Sequence, residues 1–161
     1  MDCGSWWLEH IQYVHRYVTC VHLKDSDGRR DSLWNLIQHA DFWGELTHLK
    51  VAGDLMRTYV QALGRLVDAA FEKDVPRTNA AVEELLRAVY DQTDLYRAKM
   101  RNFPSEDWSS LFMFHVTATG GYILALAEGD EAGFRKQYEI VRGMRSKLAS
   151  FWVDFCLTAV R

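Results

Sequence analysis

Proline occurs only twice in 161 residues, at Pro76 and Pro104, and apolar residues recur between them at steps of three and four. Little else in the chain constrains its fold so strongly. Proline removes a backbone donor and breaks helices, so a chain almost free of it, with 3.6-residue apolar periodicity, is built for long amphipathic helices. The opening segment shows how pattern decides. It is rich in Val and Tyr, which favour strands weakly. Yet Trp7, Ile11, Val14, Val18 and Val21 fall on one helical face, with Glu9, Gln12, His15, Arg16, Thr19 and His22 opposite. The spacing predicts a first helix from about Ser5 to Lys24, ended by Asp25-Ser26-Asp27-Gly28.

A second helix is expected from Asp31-Ser32, which offer capping oxygens, through Leu36, Ile37, Ala40 and Trp43 to Gly53. A third starts at Asp54, carries Met56, Val60, Leu63 and Val67, and stops at Val75-Pro76. A fourth runs from Thr78-Asn79 to about Met100, and Phe103-Pro104 breaks the chain again. Ser105 reads as the N-cap of a fifth helix reaching Glu128. Gly129 reads as a left-handed cap and Asp130 as the cap of a sixth helix, which reaches Phe155 or beyond. No linker or change of composition divides the chain. The expectation is an all-α fold over residues 1–161, one antiparallel helical-bundle domain of about six helices.

Composition narrows the function classes. A formal charge of −3 gives no global attraction to nucleic acid or an anionic membrane. Cys3, Cys20 and Cys156 are odd in number and widely spaced, which argues against a disulfide framework or a thiolate zinc site. No leader pattern stands at Met1-Asp2-Cys3-Gly4, and the apolar runs read as too interrupted for a membrane span. The expected location is cytoplasmic or virion-associated, and not secreted.

An internal duplication is suggested by residues 31–54 and 107–130, which align without gaps. Asp31/Asp107, His39/His115, Gly44/Gly120, Gly53/Gly129 and Asp54/Asp130 coincide, so each unit has an acidic start, a histidine and a Gly-Asp helix boundary. Trp7-Leu8-Glu9-His10, Trp34 to His39 with Phe42-Trp43, and these two units resemble a family of small uncharacterised helical proteins of spore-forming bacteria and large DNA viruses of amoebae. The resemblance implies a helical fold and virion or host-interaction duty, and no reaction. Gln38 and Phe114 stand where that pattern often has glutamate before histidine, which weakens shared Glu-His chemistry.

His10, His39 and His115 are the candidate ligand or metal residues, as imidazoles from separate helices that can converge inside a bundle. The bland reading, a hydrogen-bonded structural histidine in each case, carries more weight at this level. Counted along the expected helices, His39 and His115 stand at similar heights while His10 falls too low to join them. Glu45-x-x-His48 has the spacing of a di-iron half-site but lacks its second copy. With Asp41 it reads as an exposed polar stripe. His15 and His22 read as a solvated face, and Ser109, Ser110, Thr117 and Thr119 near His115 lack a nucleophile elbow.

Gly120-Gly121 inside the fifth helix suggests close approach of a neighbour, with a ligand notch as the lesser alternative. Arg135, Lys136, Arg142, Arg145 and Lys147 give the sixth helix a mild basic face, too weak a signal for nucleic acid. Trp6 and Trp7 at one end, and Phe151, Trp152 and Phe155 at the other, suggest either mutual packing or a self-association surface, most simply a homodimer. The reading that follows is a non-enzymatic helical scaffold or protein-interaction module with no cofactor and an unspecified protein partner. The alternative is a metal- or small-ligand-binding bundle that uses the interior histidines.

Overall fold

The computed structural model describes residues 2–159, with side chains through Phe155, so Cys156 lies outside the side chains described. It contains six helices: α1 (Cys3–His22), α2 (Ser26–Leu46), α3 (Lys50–Phe71), α4 (Val75–Lys99), α5 (Ser105–Glu128) and α6 (Glu131–Ala159). Each packs antiparallel on the next, and α6 returns against α1 to close the ring. The odd-numbered helices also touch one another: α3 meets α5, and α1 meets both. These three helices therefore run the same way around a common interior, flanked by α2, α4 and α6.

Four of the five turns share one construction, and a left-handed residue marks all five. Lys24, His48, Lys73 and Asn102 take φ between 55° and 58°, and Gly129 takes φ 75°. The residue after the left-handed one donates its N–H back five residues at four turns: Asp25 to Cys20, Leu49 to Gly44, Asp74 to Ala69 and Asp130 to Ala125. This is the Schellman closure, which satisfies carbonyls that a helix end leaves without partners. Asp25, Asp74 and Asp130 then cap the next helix, each accepting from the N–H three residues on (Gly28, Arg77 and Gly133).

These turns correct several expected boundaries. Asp25-Ser26-Asp27-Gly28 starts α2 rather than only ending α1, and Asp31-Ser32 lies inside it. Val75-Pro76 begins α4, where proline's missing N–H is no loss. Ser105 is the first helical residue of α5 and makes no capping bond; Pro104 precedes it. Gly53-Asp54 is interior to α3, and the true break is at Thr47-His48-Leu49. Gly53 instead meets Gly44 across the α2–α3 crossing. A Cβ on Gly44 would stand 3.2 Å from the Gly53 backbone, so the glycines let the two helices touch near their turn. Gly53-Asp54 and Gly129-Asp130 thus do different jobs.

The fifth helix is more apolar than its sequence reading allowed. Residues 108–127 contain no Asp, Glu, Lys or Arg, and by length and composition α5 could cross a membrane. In the structure it lies against α3, α4 and α6, with Trp108, Phe112, His115, Val116, Thr119 and Tyr122 buried.

The aromatic residues proposed as an association surface are mostly core. Trp6, Trp7 and Trp152 are buried, and Phe151 and Phe155 are half-buried. Trp7, Trp108, Trp152 and Trp43 form a closed circuit of edge contacts with centroid spacings of 5.7, 5.3, 4.8 and 5.8 Å. The two ends of the chain carry excess aromatics because α1 and α6 pack side by side there, where edge-to-face rings fill the space well.

Candidate functional site

Helix boundaries set which histidines can meet. His10 stands seven residues from the start of α1, and His39 seven from the end of the antiparallel α2. At 1.5 Å per residue both lie about 10 Å above the same end. Tyr59 is nine residues into α3 and His115 ten into α5, about one turn or less higher. All four side chains point inward. His10 is therefore central, contrary to the expectation that it falls short: its ring lies 6.1 Å from His39 and 6.4 Å from His115. The expected proximity of His39 and His115 holds only through His10, which stands between them.

His39 is fixed by Trp6. The Trp6 indole Nε1–H donates to the His39 carbonyl at 2.7 Å, and His39 Nε2 contacts the Trp6 carbonyl at 3.0 Å. A carbonyl only accepts, so His39 carries its proton on Nε2 and presents Nδ1 as a bare lone pair. The indole of Trp6 stacks on both histidines, 4.4 Å from His39 and 4.8 Å from His10, each within 10° of parallel. Rings on opposite faces of one indole would stand about 7 Å apart or more at van der Waals spacing. The 6.1 Å separation places His10 and His39 side by side on one face.

Several buried polar atoms in and beside the rest of the cluster lack partners. Among the described residues neither ring nitrogen of His10 has a hydrogen-bond partner, nor do His115 Nδ1, Thr119 Oγ1 and Trp7 Nε1. His115 Nε2 lies 3.3 Å from the Tyr59 hydroxyl. His10 and His115 are fully buried and His39 is 7% exposed. Burial favours the uncharged ring. It takes His115 from the ordinary 6.5 to about 4 and lowers His39, against the Trp6 carbonyl and Glu9, which act the other way. Burial also takes His10 well below 6.5, with His39 and His115 adding to it. The centre therefore holds three neutral imidazoles and a phenol, the form in which imidazole donates a lone pair. As the rings are disposed, no three His, Cys, Asp or Glu among the described residues converge closely enough to hold a metal ion.

Other expected features resolve more simply. His15 is half-buried, with Nδ1 3.0 Å from the Tyr122 hydroxyl and its ring 4.6 Å from Tyr138, so it packs on α5 and α6. His22 is exposed. Glu45 and His48 are exposed and, with Asp41 and Asp54, line an open groove of about 570 Å³ in which Arg57 pairs with Asp41 at 2.5 Å. Arg135 and Arg142 pair with Glu131 and Glu139 along α6, which leaves Lys136 and Lys147 exposed on its basic face. A Cβ on Gly121 would meet the flexible Gln137 at 3.3 Å, and one on Gly120 only Leu66 at 3.9 Å. The tight helix contact is at Gly44 and Gly53 instead. Tyr59, a member of the centre, stands on the buried α3 stripe with Met56 and Val60, where its spacing reads as core alone.

Comparison of the chain with protein-family models, with curated proteins and with solved structures finds no match in any of the three.

Proposed function

We propose that the chain is a metal- or small-ligand-binding helical bundle whose working centre is His10, His39 and His115. The observation that supports this most is His10, fully buried with two unpartnered ring nitrogens between two further imidazoles. Each unpaired buried polar group costs about 1–3 kcal/mol, and a domain has only about 5–15 kcal/mol in hand. A guest that engages these nitrogens recovers that loss. Neutral imidazoles suit late first-row cations or a small hydrogen-bonding molecule. A cation needs the rings to turn inward, because two imidazoles sharing a tetrahedral ion stand about 5 Å apart between centroids.

Native mass spectrometry of the protein as purified tests the reading, since it weighs any guest. The expected result is one bound species, metallic or organic by its mass, absent from His10→Phe. Only the bare mass, under conditions that keep the fold, contradicts it.

A second reading, a non-enzymatic helical scaffold or interaction module with virion or host duty, draws on the outer surface. Trp34, Tyr90 and Phe114 are 62%, 57% and 51% exposed, and exposed aromatics are favoured at protein interfaces. Sedimentation at micromolar concentration should then show a dimer that Trp34→Ala weakens. A monomer at every concentration removes the self-association part of this reading.

A further inference from the structure

Two exposed aromatic residues stand at one level on neighbouring helices. Tyr90 lies nine residues before Lys99, where α4 ends, and Phe114 nine after Ser105, where α5 begins. At 1.5 Å per residue both stand about 14 Å above the connecting turn. The two helices pack antiparallel, and both rings are more than half exposed. On α5 the exposed Ser110 and Thr117 flank Phe114, in a stretch without Asp, Glu, Lys or Arg from 108 to 127. A helix face turned to water normally carries charge, and aromatics with charge depleted mark the middle of a protein interface. The charges lie beside it on α4. At 100° per residue Glu83, Arg87, Asp94 and Arg97 point within about 60° of Tyr90, and all four are exposed. Among the described residues Glu83 and Arg87 make no ion pair, while Arg97 pairs with Asp94 at 3.1 Å.

We propose that this face of α4 and α5 joins a second copy of the chain about a two-fold axis at Tyr90. The inference rests on the self-association part of the second reading above and gives it a surface. The α4 charges are self-complementary. With the two α4 helices antiparallel, residues equally far before and after Tyr90 come opposite one another. Glu83, seven before, meets the partner's Arg97, seven after; Arg87, three before, meets the partner's Asp94, four after. Each of these charges faces its opposite, as a contact between identical patches requires. The flanks agree. Glu84 pairs with Arg65 of α3, so Arg87 and Asp94, turned the same way from Tyr90, lie toward α3, and Leu86 and Phe114 lie on the other side. The rotation keeps flank against flank, which sets Phe114, at the level of Tyr90, against the partner's Phe114. A lipid bilayer fits less well, because Glu83, Arg87, Asp94 and Arg97 would enter it with the aromatics.

Two charge reversals test the arrangement in the full chain at micromolar concentration, by sedimentation and native mass spectrometry. Arg87→Asp alone, and Asp94→Arg alone, each set like charges opposite one another at both ends of the interface. Each should weaken the dimer at least about tenfold with helicity unchanged. Mixed together the two variants should pair again. The substituted position 87 of one chain then meets the substituted position 94 of the other, and the native Asp94 and Arg87 meet likewise. A heterodimer of intermediate mass should therefore exceed both homodimers. Tyr90→Ala, at the axis, gives an uncharged check and should also weaken the dimer at least about tenfold. A wild-type dimer that all three variants keep, or a mixture without the heterodimer, overturns this arrangement and leaves the second reading standing. A wild-type monomer at every concentration removes both. A monomer that floats with phosphatidylcholine vesicles assigns the face to a bilayer and overturns the proposal as well.

Discussion

Trp6 and His39 hold each other through a reciprocal pair of hydrogen bonds, indole to carbonyl at 2.7 Å and imidazole to carbonyl at 3.0 Å, across the α1–α2 interface. The pair fixes the His39 tautomer and supplies the platform on which His10 rests. Histidines that hold metals are usually oriented by a bond of this kind from their second nitrogen. Trp6→Phe keeps an aromatic plate but removes the indole donor and part of the buried volume. It should cost about 2–3 kcal/mol in urea-induced unfolding. A change below about 0.5 kcal/mol would show that the clamp contributes little.

The glycines separate by what faces them. Gly44→Ala and Gly53→Ala each place a Cβ 3.1–3.2 Å from the backbone of the opposite helix, which has no flexible end to give way. Each should destabilise by about 1–3 kcal/mol. Gly143 has nothing within 4 Å of such a Cβ, so Gly143→Ala should stabilise α6 by about 0.5–1 kcal/mol. Thermal unfolding of the three variants gives the order, and equal effects would contradict the crossing geometry.

The fold class, the number of helices and the limits of α5 could be read from periodicity and breakers, because amphipathic spacing survives translation along a helix. The α2–α3 break could not. His48 takes the left-handed conformation without the glycine that normally marks it, while Gly53, which looks like a stop, serves a helix contact. That single misplacement moved His39 by about seven residues relative to its helix end, about 10 Å. It removed His10 from a centre it in fact occupies. The partnership of Tyr59 with His115 and the Trp6 clamp depend on which faces meet, which periodicity within one helix does not report.

The left-handed residues at the turns offer an independent check. Lys73 holds φ 58°, a conformation unfavourable by about 1–2 kcal/mol for a residue with a Cβ. Lys73→Gly removes that cost and adds unfolded-chain entropy, so a net gain of about 0.5–1 kcal/mol is expected. Chemical denaturation checks it, and a loss of stability would exclude the Schellman geometry at this turn.

Three buried, neutral imidazoles with His10 in their midst form the centre of the bundle. Nuclear magnetic resonance of ring-labelled histidines, titrated from pH 8 downward while the fold persists, observes this directly. Through pH 6.5 the resonances of His10 and His115 should stay at their neutral positions, with His39 titrating below 6.5 from the Nε2–H tautomer and nuclear Overhauser contacts from His10 to both others. Titration of His10 or His115 at the ordinary value of 6.5, or no contact between His10 and its two neighbours, would contradict the centre itself.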